Sequence, residues 1–306
     1  MTAAAALQPL LLRLAQGAEL TDDEAEQLFE TIVAGTAFPA QIGAALMALA
    51  ARGETVTELT AAVRVMRRHL VPISGGADAI DCCGTGGDGH GTLNISTAVA
   101  FVVAACGVPV AKHGNRAASS RSGAADVLGA LGIGLASPAQ AERMLKAHGL
   151  TFMFAPHHHP GMKAVGTIRK ELGFRTLFNL AGPLSNPAGT TRQLVGVYDP
   201  RWLEPVAEAL QRLGSVSAWV VHGSDGLDEL TITGPSDVAA QIKVADIELA
   251  GGRIEESFDR LLGVVRRTSG DEREQARKHL VSLFDLLPPN EPQVKKTRAA
   301  LSALLF

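Results

Sequence analysis

The segment Cys83-Gly84-Thr85-Gly86-Gly87-Asp88-Gly89-His90-Gly91-Thr92 runs into Asn94-Ile95-Ser96-Thr97, so a glycine-rich turn leads at once into residues that open a helix. Five glycines in this turn let the backbone approach a ligand closely, and the free N–H groups of a helix N-terminus favour an anion. Gly84, Gly86 and Gly89 spell the dinucleotide fingerprint, yet no carboxylate occurs between Asp88 and Asp126, where a ribose-binding acid is expected. A Walker A loop is excluded too, because no Gly-Lys-Ser/Thr follows. The acid-free stretch holds a second segment, Lys112-His113-Gly114-Asn115-Arg116-Ala117-Ala118-Ser119-Ser120-Arg121-Ser122-Gly123. Its cations and hydroxyls suit a multiply charged phosphate, Lys as a point charge and Ser as neutral donor. A third segment, His222-Gly223-Ser224-Asp225-Gly226-Leu227-Asp228-Glu229, carries three carboxylates. Mg²⁺ is typically held by one or two carboxylates plus substrate phosphates. Taken singly, the three are also compatible with a surface turn, a solvated basic loop and a polar Asp-Gly turn.

Together they read as a polyphosphate and Mg²⁺ site without a protein nucleophile, where catalysis comes from positioning and from stabilising a charged leaving group. No Ser-His-Asp order, GxSxG elbow or catalytic cysteine setting is present. The triple His157-His158-His159 invites a zinc hypothesis, but consecutive side chains diverge and no Cys or HExxH-like partner accompanies them, so no metal is assigned there. Arg169 falls on an amphipathic helix that ends at Leu172-Gly173.

These segments need a scaffold. Thr21-Asp22-Asp23-Glu24 and Thr55-Val56-Thr57-Glu58 are capping boxes, and Pro39 suits a first helical turn ahead of Ile42, Leu46 and Leu49. From Ala79 the pattern changes to short β-prone runs alternating with helical stretches, as in a parallel sheet with crossover helices. Strands are expected at 79–83, 108–112, 150–154, 193–198, 218–222 and 229–233; helices at 94–106, 123–131, 137–147, 162–172 and 204–213. The fold class is α/β: a small N-terminal α-helical domain, residues 1–72, with helices from about 160–176 expected to join it, and a larger α/β domain, residues 73–306, with a mostly parallel central sheet. In such sheets ligands sit beyond the carboxyl ends of the strands, where all three segments fall.

Composition narrows the function classes. Hydrophobic residues make up 46% and charged residues 19%, enough to bury a core. The longest apolar run, 98–111, is interrupted by Gly107 and Pro109 and is shorter than the roughly 18 residues of a membrane span. The start of the chain lacks the basic region of a signal peptide, and Cys82, Cys83 and Cys106 form neither a disulfide framework nor a CxxC site, so a cytoplasmic protein is expected. A net charge of −3 with 4% aromatic residues argues against nucleic acid as a partner.

Gly84-Thr85-Gly86-Gly87-Asp88, Asn94-Ile95-Ser96-Thr97, Lys112-His113-Gly114-Asn115-Arg116 with Ser119-Ser120, and Asp228-Glu229 resemble the motifs of the anthranilate phosphoribosyltransferase family, in its order. Phe154-Ala155-Pro156, His159-Pro160, Met162-Lys163 and Phe178-Asn179-Leu180-Ala181-Gly182-Pro183-Leu184 with Asn186-Pro187 extend the resemblance, which runs from about residue 20 to 245. It implies transfer of phosphoribose from phosphoribosyl pyrophosphate to the amine of anthranilate, with release of pyrophosphate, in tryptophan biosynthesis. Gly84, Gly87, Asp88, Thr92, Asn94, Ser96, Thr97, Lys112, Ser119 and Ser120 would then hold the donor, and Ser96, Asp228 and Glu229 would lie at Mg²⁺. Gly84, His113, Asn115 and Arg169 would line the anthranilate site, the guanidinium facing the carboxylate. The resemblance also implies a homodimer through the helical domain. Ala124 and Gly129 depart from the family's usual Ser and Glu.

Beyond Ala250 the family pattern is lost. The tail reads as two helices, 271–287 and 294–305, expected to pack only partly and to leave Leu301, Leu304, Leu305 and Phe306 to cover residual apolar surface or a partner. Two competing readings remain: a pyrimidine nucleoside phosphorylase, which shares the Lys-His-Gly and Ser-Ser features, and a non-catalytic homologue binding nucleic acid. The unbroken Gly84–Asp88 motif and the Asp228-Glu229 pair favour the pyrophosphate and metal version over the first; the acidic balance opposes the second.

Overall fold

Both capping boxes form. In the computed structural model, which describes residues 7–86, 93–116, 122–237, 254–288 and 291–305, the helices before the first strand are α1 (Gln8–Ala15), α2 (Asp22–Val33), α3 (Pro39–Arg52) and α4 (Val56–His69). At α2, the Thr21 hydroxyl accepts from the Glu24 N–H and the Glu24 carboxylate accepts from the Thr21 N–H at 3.0 Å. At α4, Thr55 and Glu58 repeat the exchange at 3.2 and 2.9 Å. Glu58 does more than cap: it is fully buried, accepts from the Leu20 N–H at 3.3 Å and pairs with Arg52, so one carboxylate ties α4 to the α1–α2 turn and the end of α3. Ile42, Leu46 and Leu49 are buried along α3, as their spacing predicts.

Among the described residues the sheet has five parallel strands, β1 (Ile80–Gly84), β2 (Val110–Gly114), β3 (Leu150–Phe154), β4 (Arg192–Gly196) and β5 (Ser217–Val221), in the order β3-β2-β1-β4-β5. Every expected strand but the last is present, shifted by no more than two residues. The sixth, expected at 229–233, does not form. Thr231 and Thr233 turn their hydroxyls to the Asp225 carboxylate, the latter at 2.7 Å, and such local bonds compete with a ladder; only an isolated bridge joins Gly223 to Ser236.

Between the strands lie α5 (Ile95–Ala105), α6 (Ala124–Ala130), α7 (Pro138–His148), α8 (Ala155–His158), α9 (Met162–Leu172), α10 (Leu177–Ala181) and α11 (Leu203–Arg212). Helices α9 and α10 pack against α2, α3 and α4 rather than on the sheet, and α11 bridges α4 and β5. One sheet face, with Cys83, Val195, Ala218 and Val220, therefore shares a single apolar core with the N-terminal helices. The other face is covered by α5 over β1 to β3, where Cys82 and Val110 meet Ala100. On that face over β4 and β5, Leu194 is half-buried and Trp219 is 39% exposed.

The tail departs from expectation. It forms α12 (Ile254–Arg267), α13 (Gly270–Phe284) and α14 (Pro292–Leu305), whose apolar faces make a core of their own. Phe258 and Phe284 meet edge to face at 5.2 Å. Leu301 is buried in that core and Leu304 packs against it, so neither covers surface elsewhere; the Leu305 side chain and Phe306 lie outside the described residues. Helix α12 was legible in Ile254, Phe258, Leu261, Leu262 and Val265, one face of a helical period, but had no capping signal to mark its start.

Removing the Glu58 carboxylate leaves two N–H groups without their acceptor and the half-buried Arg52 guanidinium without its counter-charge. Glu58→Ala is expected to lose about 3–5 kcal/mol of unfolding free energy in a denaturant titration, the cost of breaking a buried pair.

Candidate active site

Strands β1 and β2 are in ladder register only at Ile80 and Val110, whereas β1–β4 and β2–β3 pair at five positions each. Side chains take over where that ladder stops. Asp81, fully buried, accepts from the His113 N–H at 3.1 Å and from the Asn186 amide at 2.7 Å. The same Asn186 amide donates to the Ala111 carbonyl at 2.9 Å. Burial pushes the Asp81 carboxyl up, while the nearby Lys112 charge and these donors act against the rise. Lys112, 2% exposed, donates from Nζ to the Cys82 carbonyl and, at 3.1 Å, to the Ser96 hydroxyl. Among the described residues no carboxylate lies within ion-pair distance of this ammonium. A buried cation so placed is an anion site in waiting.

Ser96 sits in the first turn of α5, and Asn94 just ahead of it donates to the Ser122 hydroxyl at 2.8 Å, joining the first and second segments. Thr97, also expected at the donor, is buried, and its hydroxyl has no partner among the described residues. Burial raises the Cys82 thiol to about 11 and the Cys83 thiol well above its usual range, so neither is a nucleophile at neutral pH. Gly87, Asp88, Thr92, Ser119 and Ser120 lie outside the described residues.

The third segment descends onto the ends of β1 and β4. Gly84 and Gly196 stand side by side there, and a Cβ on Gly196 would come within 1.5 Å of the Asp228 carbonyl oxygen. A Cβ on Gly84 would meet the Asp228 carboxylate at 2.3 Å. These glycines are therefore required by close approach. The Asp228 carboxylate accepts from the Gly86 N–H at 2.7 Å, and Glu229 lies near enough to Cys82 to raise its thiol electrostatically. Asp225 is turned away, its carboxyl held below the usual range by the Thr231 and Thr233 hydroxyls, and serves the loop rather than the site.

On the opposite face of the sheet His113 points toward the helical layer. Its ring lies 5.1 Å from that of His159, and both Nε2 atoms are buried with no hydrogen-bond partner among the described residues. Burial, reinforced by neighbouring histidines, lowers His113 well below the usual histidine range and His159 to about 4. Arg169, on α9, donates to the Asn179 carboxamide oxygen at 2.9 Å; its Nε is buried and unpartnered, and burial lowers its basicity. Asn115 is exposed, with its side-chain oxygen on the Arg116 N–H at 2.8 Å. The three histidines do diverge: Nδ1 of His157 faces the Ala136 carbonyl and that of His158 the Val71 carbonyl, while His159 stacks on His113. Sequence reasoning missed Asp81, His159, Asn179, Asn186 and Gly196 as parts of this site. For Asp81 the available signal was a carboxylate inside an apolar strand.

The glycosyl transferase family, a/b domain, matches residues 76–254, and the family's helical bundle domain matches residues 8–70. A tetratricopeptide repeat family matches residues 225–306. The chain is 58% identical over 229 residues to an anthranilate phosphoribosyltransferase of Rhodopseudomonas palustris, covering 74% of this chain and 68% of the relative. It is 57% identical over 235 residues to an anthranilate phosphoribosyltransferase of Bradyrhizobium, 76% of this chain and 70% of the relative. Among solved structures, the anthranilate phosphoribosyltransferase of Thermus thermophilus superposes with a TM-score of 0.69 at 36% identity, over 99% of this chain and 94% of that one. The Saccharomyces cerevisiae enzyme in complex with PRPP and Mg gives 0.68 at 23% identity over 98% and 94%, a likeness of fold.

Both buried imidazoles stay neutral at neutral pH, so below about 6.5 the unfolded chain takes up protons that the folded chain refuses. Their burial therefore carries no penalty above pH 6.5, and stability falls as pH drops toward the folded value of about 4 for His159. The melting temperature is expected to fall steeply across that window, by the equivalent of a few kcal/mol, and less steeply in His159→Gln.

Proposed function

Since the chain belongs to the anthranilate phosphoribosyltransferase family of glycosyl transferases, we propose that it transfers phosphoribose from phosphoribosyl pyrophosphate to the amine of anthranilate, releasing pyrophosphate, as a step of tryptophan biosynthesis. The observation that carries this reading is the buried Lys112 ammonium, bonded to the Cys82 carbonyl and the Ser96 hydroxyl beside the Gly84–Gly86 turn and the Asp228-Glu229 loop. The new bond runs from the amine nitrogen to C1 of the ribose; the bond from C1 to the pyrophosphate oxygen breaks, and the nitrogen gives up a proton. No side chain bonds to the sugar.

Lys112, Ser96 and Asn94, with Gly84, Thr97 and the motif residues Gly87, Asp88, Thr92, Ser119 and Ser120, would hold the donor. Their task is to fix the leaving group where a buried charge stabilises it as it departs. Asp228, Glu229 and Ser96 offer hard oxygen donors that fit Mg²⁺. When bound, Mg²⁺ would neutralise developing pyrophosphate charge. Across the sheet, Arg169, held by Asn179, would pair with the anthranilate carboxylate, and His113, Gly84 and Asn115 would line its channel. A helical domain at 1–72, with helices from 160–176 beside it, and an α/β domain at 73–306 would close on the two substrates from opposite sides. Leu12, Phe38 and Met47, more than half exposed on the helical layer, support a homodimer through that surface. A cytoplasmic location agrees with these substrates.

Loss of anthranilate fluorescence on mixing protein, phosphoribosyl pyrophosphate and Mg²⁺ tests the reading; a phosphorylase would instead need no Mg²⁺. Asp228→Asn with Glu229→Gln is expected to abolish turnover at ordinary Mg²⁺ while circular dichroism stays unchanged, because the lost metal removes several kcal/mol of transition-state stabilisation, of the order of ~3.

Arg169→Ala is expected to raise KM for anthranilate far more than for the donor, and Lys112→Ala to do the reverse. A lost charge-assisted bond of about 1.5–3 kcal/mol sets the scale, and steady-state kinetics with each substrate varied in turn measure it.

A further inference from the structure

We infer that Asp81 is a positioning residue for both halves of the site, fixing strand β2 so that Lys112 is presented to one side of the sheet and His113 to the other. The inference rests on the reading above. Successive residues of a strand point to opposite faces, so Lys112 and His113 cannot be aimed independently; whatever fixes the peptide between them aims both. In a regular parallel pair that peptide would be held by the ladder to β1. Here the ladder register is confined to Ile80 and Val110, and the His113 N–H is received by the Asp81 carboxylate instead.

The second carboxylate oxygen receives the Asn186 amide, which also engages the Ala111 carbonyl one residue before Lys112. Asn186 is itself locked, its side-chain oxygen accepting the Ala188 N–H at 2.8 Å. A buried carboxylate thus replaces ladder bonds on one side of the Lys112 peptide, and a buried amide on the other. The Lys112 ammonium completes the link by donating to the Cys82 carbonyl, one residue beyond Asp81. Among the described residues Asp81 meets the Cys83 thiol on its own strand, the His113 N–H and the Asn186 amide, and it reaches Lys112 through β2.

The test uses the full chain with steady-state kinetics in both substrates, alongside circular dichroism. In Asp81→Asn an amide would face the Asn186 amide, and KM for the donor and for anthranilate should both rise, by about tenfold each. Lys112→Ala, by contrast, moves chiefly the donor. The exchanged pair Asp81→Asn with Asn186→Asp restores one carboxylate opposite one amide but leaves the Ala111 carbonyl without its donor, so both constants should fall between those of Asp81→Asn and wild type, each still raised about threefold to fivefold. A folded Asp81→Asn that leaves either constant within about twofold overturns the inference while the activity stands. Should Asp81→Asn fail to fold, the exchanged pair decides: folded with both constants raised it supports the role, and folded with either within about twofold of wild type it overturns it. A wild-type chain that turns over no anthranilate overturns the proposed activity and this inference with it.

Discussion

A buried carboxylate and a buried ammonium, set on adjacent strands and joined through backbone rather than to each other, are the constraint on which this site depends. Asp81 and Lys112 would each be costly to bury alone. Both are accommodated because the central strand pair forgoes most of its ladder and lends its N–H and C=O groups to the two side chains. Among the described residues the ammonium meets neutral oxygens, and no carboxylate stands within ion-pair distance of it. That is a poor device for stability and a good one for an anionic ligand, since a low-dielectric cation gains most when an anion arrives.

Space is the second constraint. Strands β1 and β4 end side by side at Gly84 and Gly196, where the chain leaves β1 for α5 and later returns from β4 toward α11. Ligands in open α/β sheets bind at such reversals of strand order. Here the absence of two Cβ atoms lets the Asp228 backbone settle directly on the strand ends, and its carboxylate takes the Gly86 N–H. The acidic loop, the glycine turn and the lysine are thereby held at one end of the sheet although the acidic loop lies more than a hundred residues beyond the other two in the chain.

The opposite side of the sheet is built by helices. The segment from Leu177 to Asn186 serves several partners in turn: Asn179 holds the Arg169 guanidinium, and Asn186 braces Asp81. Packing of α9 and α10 on the N-terminal helices carries Arg169 to that side, so the buried Glu58 network, which fixes how those helices meet, also bears on the site.

The capping boxes, the α3 face and the strand positions were legible because they are local: a Thr and a Glu three residues apart, or an apolar run between glycines, decide their own structure. The glycine turn, Lys112 and Asp228-Glu229 were legible as chemistry for the same reason, since residue type alone sets what they can bind. Residues 229–233 misled because β-prone threonines also bond well to a nearby carboxylate, and Asp225 was near only once the loop had folded. The tail misled in the other direction, for its apolar residues announced helices but not that those helices would bury one another. Only the tertiary structure could decide that Asp81 replaces a strand ladder, that Asn186 braces it and that Gly196 must lack a side chain. Each is a contact between segments distant in sequence, and no local pattern records which N–H a buried carboxylate will receive.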